Sequence, residues 1–212
     1  MTVGWSGGEQ PEFGLGGGFS LRAWRAADAG VLAESCRDPE ILRWNRPEAL
    51  TVEGARERIL RWRGRWEAGA AAIWAVVAVG SGGGAGSADA SGFPGAPGSS
   101  GSVGVPVGLI GLADIDLAGG SGEFLYWLLP GGRGYGVMTR ATVRVSRWAV
   151  ESVGLQRLRI THSVRNPASC RVAEGAGFAY EGTMRRALLH ADGWHDEHLH
   201  ARVAGDPWPG GV

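Results

Sequence analysis

The sequence EFLYWLLPGGRGYG at residues 123–136 joins an apolar strand to a glycine-rich turn. Residues 138–148 then repeat apolar side chains at helical spacing, so the turn leads into an amphipathic helix. A helix entered through Gly134 and Gly136 exposes backbone N–H groups without intrahelical partners, and its dipole adds partial positive charge. The segment therefore predicts a diphosphate site, although glycines also serve ordinary strand-to-helix turns.

The rest of the chain predicts strands and helices in an order that places this turn late in the domain. The predicted strands cover residues 19–24, 72–79, 105–116, 123–129, 158–163, 178–185 and 195–203. The other predicted helices run from Asp28 to about Cys36, from a cap at Thr51, and from Asn166-Pro167 to Gly177. A dinucleotide-binding unit would place its glycine turn after the first strand, whereas this turn follows the fourth.

A single domain is predicted at residues 19–203, with an insertion inside it and one loose segment at each end. Residues 1–18 are rich in glycine, and residues 80–104 consist mainly of Gly, Ser, Ala and Pro. Segments with so few large apolar side chains cannot offset the entropy lost on ordering. We therefore predict a flexible N-terminal segment at 1–18, a disordered insertion at 80–104 and a C-terminal tail at 204–212.

Composition and charge exclude several classes of function. The formal net charge is +0, so no overall field would attract nucleic acid or an anionic membrane. Cys36 and Cys170 are too few and too far apart for a disulfide framework or a zinc knuckle. Neither a signal-peptide pattern nor a membrane-length apolar stretch is present. We expect a cytoplasmic protein that binds neither nucleic acid nor membranes.

A second motif follows the turn, and the two motifs together resemble a known superfamily. This motif begins at Asn166-Pro-Ala-Ser169 and ends at Glu181-Gly182. The sequence resembles the GNAT N-acetyltransferase superfamily, and most closely its RimJ/RimL branch, which acetylates protein N-termini and related amines. The matching residues are Asp38-Pro39-Glu40, Trp44, Glu123, Tyr126-Trp127, Pro130, Arg133-Gly134-Tyr135-Gly136, Asn166, Ser169, Gly177-Phe178, Glu181-Gly182 and Asp196.

The resemblance implies a GNAT fold of the α/β (α+β) class, with a mixed, mostly antiparallel central sheet of about seven strands flanked by helices. It also implies that the fourth and fifth strands splay apart and admit the pantetheine arm of acetyl-CoA, which pairs with strand backbone. The residues implied in cofactor binding are Trp127, Leu128, Leu129, Arg133, Gly134, Tyr135, Gly136, Val137, Met138, Asn166 and Ser169. One departure is Gly131, which stands where the superfamily often has Gln or Arg.

The implied reaction needs a neutral amine, a stabilised oxyanion and a protonated leaving thiolate. Ser169 is the implied proton donor to the thiolate. The alternative is that Ser169 is only a structural residue of the first helical turn. A backbone N–H near Leu128 is the implied oxyanion donor. An α-amine has a pKa of about 8 and needs only a weak base. Glu123 is the first candidate for that base and Glu181 the second, unless both are solvated strand carboxylates.

Trp44 and Asp196 are implied to lie at the acceptor site, and core packing is the alternative for Trp44. The histidines between residues 190 and 200 suggest a separate zinc hypothesis, because Asp196, His198 and His200 share one face of a strand. Ligands that close on such an edge are uncommon, and the RimJ/RimL branch needs no metal. We therefore predict no metal, with the histidines as surface or pocket residues.

These features predict an acetyl-CoA-dependent N-acetyltransferase, an acyltransferase whose acceptor is a primary amine. The favoured acceptor is a protein N-terminal α-amine, such as that of a ribosomal protein. Two alternatives stay open: a small-molecule amine such as an antibiotic or polyamine, and a non-catalytic acyl-CoA-binding regulatory module. Members of the branch are often monomers or dimers, so we expect a monomer or a homodimer.

Overall fold

The computed structural model describes residue 5 and residues 8–45, 48–79 and 104–210, which form one eight-stranded sheet with helices on both faces. The predicted insertion at 80–104 lies outside these ranges, apart from Gly104. The strands are β1 (Phe13–Gly16), β2 (Phe19–Ala23), β3 (Ala72–Ala78), β4 (Val105–Asp116), β5 (Ser121–Leu128), β6 (Arg157–Ser163), β7 (Ala179–His190) and β8 (Gly193–Val203). The helices are α1 (Ala29–Ser35), α2 (Pro39–Asn45), α3 (Val52–Glu67), α4 (Val137–Trp148) and α5 (Pro167–Gly175). In the described ranges, no helix combines the length and apolar character needed to cross a membrane.

The sheet is mixed and mostly antiparallel, as predicted. Its strand order is β1-β2-β3-β4-β5-β6-β8-β7, and β5 with β6 is the parallel pair. That pair is short, because it runs from Ser121 opposite Arg157 to Glu123 opposite Arg159. Beyond Glu123 the two strands separate, while β5 stays paired with β4 as far as Leu128. The predicted splay is therefore present, and it begins at Glu123.

Strand β1 is an eighth strand, where about seven were predicted, and it lies in the segment predicted to be flexible. Phe13 and Leu15 alternate with glycines and are buried against the sheet. Gly17 and Gly18, at φ +59° and +78°, allow the tight turn into β2. The prediction of a loose segment is corrected for residues 13–16, because two apolar side chains on one face suffice to extend an existing sheet edge.

Two hydrophobic cores lie on opposite faces of the sheet. Helices α4 and α5 pack on one face, against side chains such as Trp74 and Ile110. Helices α1 and α3 cover the other face, against Ile73 and Leu109. Strand β3 is therefore buried on both faces, which explains its continuous apolar sequence.

Asp28 does not cap helix α1 as predicted. A 3₁₀ turn, Ala26–Asp28, precedes the helix, and the Asp28 side chain makes no capping hydrogen bond to α1. Its carboxylate instead accepts two hydrogen bonds from the buried Arg22, at 2.6 and 2.9 Å, and one from the backbone N–H of Arg25. A buried guanidinium needs a charged partner, and this requirement outweighs a cap.

Thr51 caps helix α3 as predicted, since its Oγ1 accepts a hydrogen bond from the Gly54 N–H at 3.0 Å. Replacing Thr51 by alanine leaves that N–H without its partner and is expected to lower the free energy of unfolding by about 1 kcal/mol. For a chain of this size the melting temperature should fall by about 2–4 °C, measured by calorimetry. Thr51→Ser keeps the hydroxyl and should melt like the wild type; an equal loss in both variants would contradict the capping role.

The last two strands are longer than predicted and form a hairpin that reaches His190 and Gly193. The β7 register shifts between Met184 and Leu188, and Arg186 has a φ of +48°. Asp196 stabilises this bulge, because its Oδ1 accepts a hydrogen bond from the Arg186 N–H at 2.8 Å. The bulge interrupts the alternation of side chains, so the sequence pattern ended the strand too early.

Candidate active site

A cavity of about 430 Å³ opens where β5 separates from β6. Its walls come from helix α2, the end of β5, the start of α4 and the first turn of α5. The predicted site residues that line it are Trp44, Trp127, Leu128, Arg133, Met138, Asn166 and Ser169. The fold thus brings residues that are distant in sequence to one apolar cleft with a few polar groups, as is usual for ligand sites.

The glycine-rich turn and the helix that follows it reach this cavity through Arg133 and Met138. Gly134 and Gly136 have φ values of +85° and +65°, which glycine adopts without strain, and Gly136 directly precedes α4. A Cβ added at Gly134 would meet no atom within 4 Å, so that side of the turn is open. The N–H groups of Val137 and Met138 begin the helix without intrahelical acceptors. The turn can therefore receive a diphosphate.

Other predicted residues give the turn its shape. The carbonyl of Tyr135 accepts a hydrogen bond from Arg140 at 2.8 Å, and its exposed ring lies 5.6 Å from the ring of Phe19. The Leu129 N–H donates to the Val107 carbonyl at 2.8 Å, which holds the end of β5 to β4. These contacts fix the path of the backbone, and the N–H groups of Gly132 and Arg133 are bound inside the turn, to the carbonyls of Leu129 and Pro130.

Arg133 is fixed by two partners that join the turn to helix α2. Its Nε donates to the Leu128 carbonyl at 3.0 Å, and its Nη2 donates to Asp38 Oδ1 at 2.6 Å. The same carboxylate caps α2 by accepting from the backbone N–H of Ile41. Burial raises the pKa of Asp38, but the bonds from Ile41 and Arg133 outweigh burial and hold that pKa below its usual value. Arg133 therefore links the turn to α2.

Ser169 is buried at the start of α5, and its Oγ lies 2.7 Å from the hydroxyl oxygen of Tyr126 on β5. Burial raises the pKa of Tyr126 well above its usual value, so this phenol stays protonated at neutral pH. If Tyr126 donates to Ser169 Oγ, the serine hydroxyl hydrogen is free to point into the cavity. Asn166 caps α5 by accepting from the Ser169 N–H at 3.1 Å, and its side-chain NH₂ is not used in that cap.

The two carboxylates predicted as bases lie outside the cavity lining. Glu123 accepts hydrogen bonds from Arg159 Nε at 2.7 Å and from Thr161 Oγ1 at 2.6 Å, so it ties β5 to β6 where the splay begins. Glu181 is exposed and forms an ion pair with Arg157. Of the three predicted catalytic residues, Ser169 therefore lines the cavity and the two carboxylates do not.

Helix α2 forms the cavity wall opposite α5, with Trp44 in the lining. The Trp44 indole N–H donates to Glu40 Oε2 at 3.0 Å, and its ring lies edge-on to His190 at 6.2 Å. His190 Nδ1 also lies 3.1 Å from the Arg43 carbonyl oxygen, so the β7–β8 hairpin rests on α2. Asp196 does not reach this wall, because its carboxylate is bound to the β7 bulge.

A polar network that the sequence analysis missed lies beside this wall. His195 Nδ1 is 2.8 Å from Ser163 Oγ, and its Nε2 is 2.8 Å from Asp192 Oδ1. Arg165, which lines the cavity, donates to Asp192 Oδ2 at 3.1 Å. Burial, with a smaller effect from Glu123, raises the pKa of the neighbouring Glu197. The sequence indicated His195 through the group of histidines at 190–200, but not its partners Ser163 and Arg165, which come from a separate strand and turn.

The chain belongs to the GNAT acetyltransferases. The family model described as "Acetyltransferase (GNAT) domain" matches residues 19–179, which cover the turn, the cavity and helix α5. Beyond the match lie most of β7 and all of β8, the hairpin that rests on α2.

Individual relatives agree with this assignment. One relative is YdaF of Bacillus subtilis (strain 168), which is named a ribosomal N-acetyltransferase. It is 30% identical to this chain over 103 residues, which cover 49% of this chain and 56% of YdaF. The chain thus matches little more than half the length of this curated relative. The structure of a ribosomal-protein-S5-alanine acetyltransferase from Vibrio fischeri superposes with a TM-score of 0.75 at 20% identity, covering 94% of this chain and 100% of that one. RimL, a ribosomal L7/L12 α-N-protein acetyltransferase in complex with coenzyme A, gives a TM-score of 0.73 at 17% identity, covering 93% and 100%. These structures share the fold.

Proposed function

We propose that the chain transfers the acetyl group of acetyl-CoA to a primary amine, and that this amine is the α-amine of a protein N-terminus. The observation that supports acetyl-CoA as the donor is the cavity that opens beside the glycine-rich turn, where β5 separates from β6. The free edge of β5 offers backbone groups to the amides of pantetheine, and the turn offers N–H groups to the diphosphate. Family membership supports acetyl-CoA as the donor.

Chemistry at the thioester is assigned to the Tyr126–Ser169 pair. The amine forms the new C–N bond as the C–S bond breaks, and Ser169 gives its proton to the leaving thiolate and regains one from solvent. A backbone N–H near Leu128 stabilises the oxyanion. Because Glu123 is bound by Arg159 and Thr161, we assign it a structural role: it holds β5 to β6 at the point where the two strands begin to separate. Water then takes the proton of the α-amine.

The charge of the cavity favours a peptide N-terminus over a polycation. Its charged lining consists of Glu40, Arg43, Arg133 and Arg165, and Asp38 and Asp192 neutralise Arg133 and Arg165. A polyamine or an aminoglycoside carries several positive charges and needs several carboxylates, whereas Glu40 is the one carboxylate among these lining residues. A peptide brings one weakly basic α-amine, so one such partner is enough.

Thiol release from acetyl-CoA in the presence of a panel of acceptors tests this proposal. Peptides with a free α-amine should be acetylated, and polyamines and aminoglycosides should show kcat/KM values at least about tenfold lower. The matched control is the same peptide with a blocked N-terminus and an internal lysine, which should react slowly because its amine is about 2 pKa units more basic. Binding of acetyl-CoA without transfer to any amine would favour the regulatory module, and no binding of acetyl-CoA would overturn the donor site.

The location and the assembly of the protein are also proposals. Cys36 and Cys170 are both free thiols, which supports a reducing cytoplasm as the place of action. A monomer or a homodimer stays the expected assembly, and light scattering on the purified protein would distinguish the two.

A further inference from the structure

Four side chains with metal-binding atoms meet on the sheet face that α5 covers. They are His162 on β6, Cys170 on α5, and His198 and His200 on β8, here called the His₃Cys cluster. One potential ligand atom from each of the four lies within 4.8 Å of the others. His162 stands directly opposite His198 across the β6–β8 pair, and His200 follows on the same face of β8.

Three ring nitrogens of the cluster are buried and, among the residues the structure describes, have no hydrogen-bond partner. They are His162 Nε2, His198 Nδ1 and His200 Nδ1. Buried polar atoms in folded proteins nearly always have a partner, so His162 Nε2 and His198 Nδ1 point to a missing ligand. In His200 the nitrogen that faces Cys170 is Nε2, on the other side of the ring from its Nδ1. His162 Nδ1 lies 2.9 Å from the Ser163 carbonyl oxygen, which can only accept a hydrogen bond. Nδ1 therefore carries the proton and Nε2 keeps its lone pair, as in metal-binding histidines.

The spacing of the cluster suits a small tetrahedral ion. Cys170 Sγ lies 3.9 Å from His200 Nε2. Zinc–nitrogen and zinc–sulfur bonds of about 2.0 and 2.3 Å separate the ligand atoms of a tetrahedral site with three nitrogens and one sulfur by about 3.3–3.5 Å. Side-chain rotations that draw the ligand atoms together by up to about 1.5 Å would therefore complete the site.

We propose that the His₃Cys cluster binds one Zn²⁺ ion as a closed structural site. Three imidazoles and one thiolate are ligands that zinc prefers, and the thiol proton leaves to solvent when the ion binds. The ion joins α5 to β6 and β8, directly beside Ser169. This site differs from the zinc hypothesis drawn from the sequence, because Asp196 is bound to Arg186 and takes no part. The prediction of no metal concerned ligands on β8 alone, whereas the His₃Cys cluster combines ligands from β6, α5 and β8.

Cobalt substitution tests the site independently of acetyl transfer. The full-length protein, treated with chelator and reductant, is titrated with Co²⁺ alone, and a tetrahedral thiolate site gives intense visible bands and a sulfur-to-metal charge-transfer band. We expect one equivalent of Co²⁺ to bind and Zn²⁺ to displace it. Zn²⁺ should also raise the melting temperature of the wild type and not that of Cys170→Ser.

Two cysteine variants make the matched comparison. Cys170→Ser should lose the charge-transfer band and bind Zn²⁺ at least about 100-fold more weakly. Cys36→Ser removes the other thiol, which lies outside the cluster, and should bind like the wild type. His198→Gln supplies a second ligand deletion, and circular dichroism confirms that each variant is folded. Absence of a tetrahedral spectrum in the folded wild type, or wild-type affinity in Cys170→Ser, would overturn the proposal.

Discussion

Replacing Ser169 by alanine is expected to lower the kcat of acetyl transfer about 100-fold, because the leaving thiolate loses its proton donor. The affinity for acetyl-CoA should change by less than about threefold, since the Asn166 cap uses the backbone N–H of residue 169 and survives the change. Thiol release at saturating substrate gives kcat, and calorimetry with acetyl-CoA gives the dissociation constant. Tyr126→Phe keeps the serine but removes its 2.7 Å partner, and should cost about tenfold in kcat.

Ser146 provides the matched control for this experiment. It is another buried serine, lies on α4 and is not part of the cavity lining. Ser146→Ala should therefore keep the wild-type kcat. A Ser169→Ala protein that turns over as fast as the Ser146→Ala protein would reduce Ser169 to a structural residue of the helix.

Gly136→Val is expected to weaken acetyl-CoA binding about 100-fold. Gly136 has a φ of +65°, which a β-branched residue adopts only at a cost of about 1–3 kcal/mol. Its side chain would also stand beside the N–H groups that begin α4, where the diphosphate is proposed to bind. Calorimetric titration with acetyl-CoA measures the loss.

Gly154 ends the π-helical segment Ala149–Val153 that continues α4, and a variant there separates strain from cofactor contact. It has a φ of +85°, and a Cβ there would meet no atom within 4 Å. Gly154→Val should lower the melting temperature much as Gly136→Val does and leave acetyl-CoA affinity unchanged. Equal losses of affinity in both variants would show that the turn acts through stability alone.

Much of the proposed acetyl-CoA site could be predicted from the sequence, because it depends on local patterns. The turn, the amphipathic α4 and the Asn166-Pro167 start of α5 are each specified by residues close together in the chain. The splay could be predicted because the resemblance spanned the strands on both sides of it. Strand β1 was not predicted, because the many glycines of residues 1–18 indicate a loose segment and the alternation of Phe13 and Leu15 is short.

The roles of the charged residues could not be predicted in the same way. Glu123 has the spacing of a base, but its side chain is bound by Arg159 and Thr161 on the neighbouring strand. Asp28 was predicted as a cap, yet it pairs with the buried Arg22. A charged side chain binds the partner that tertiary structure brings within reach, and sequence spacing does not contain that information.

The short parallel pairing of β5 and β6 also bears on aggregation. An unpaired strand edge at the rim of a sheet invites pairing with another protein chain. In this protein such an edge lies inside the sheet, where α2 and α5 line the space beside it. Covering an edge with a helix or loop is one of the ways in which proteins prevent such pairing. The same geometry that leaves backbone groups available to a cofactor therefore protects them from neighbouring proteins.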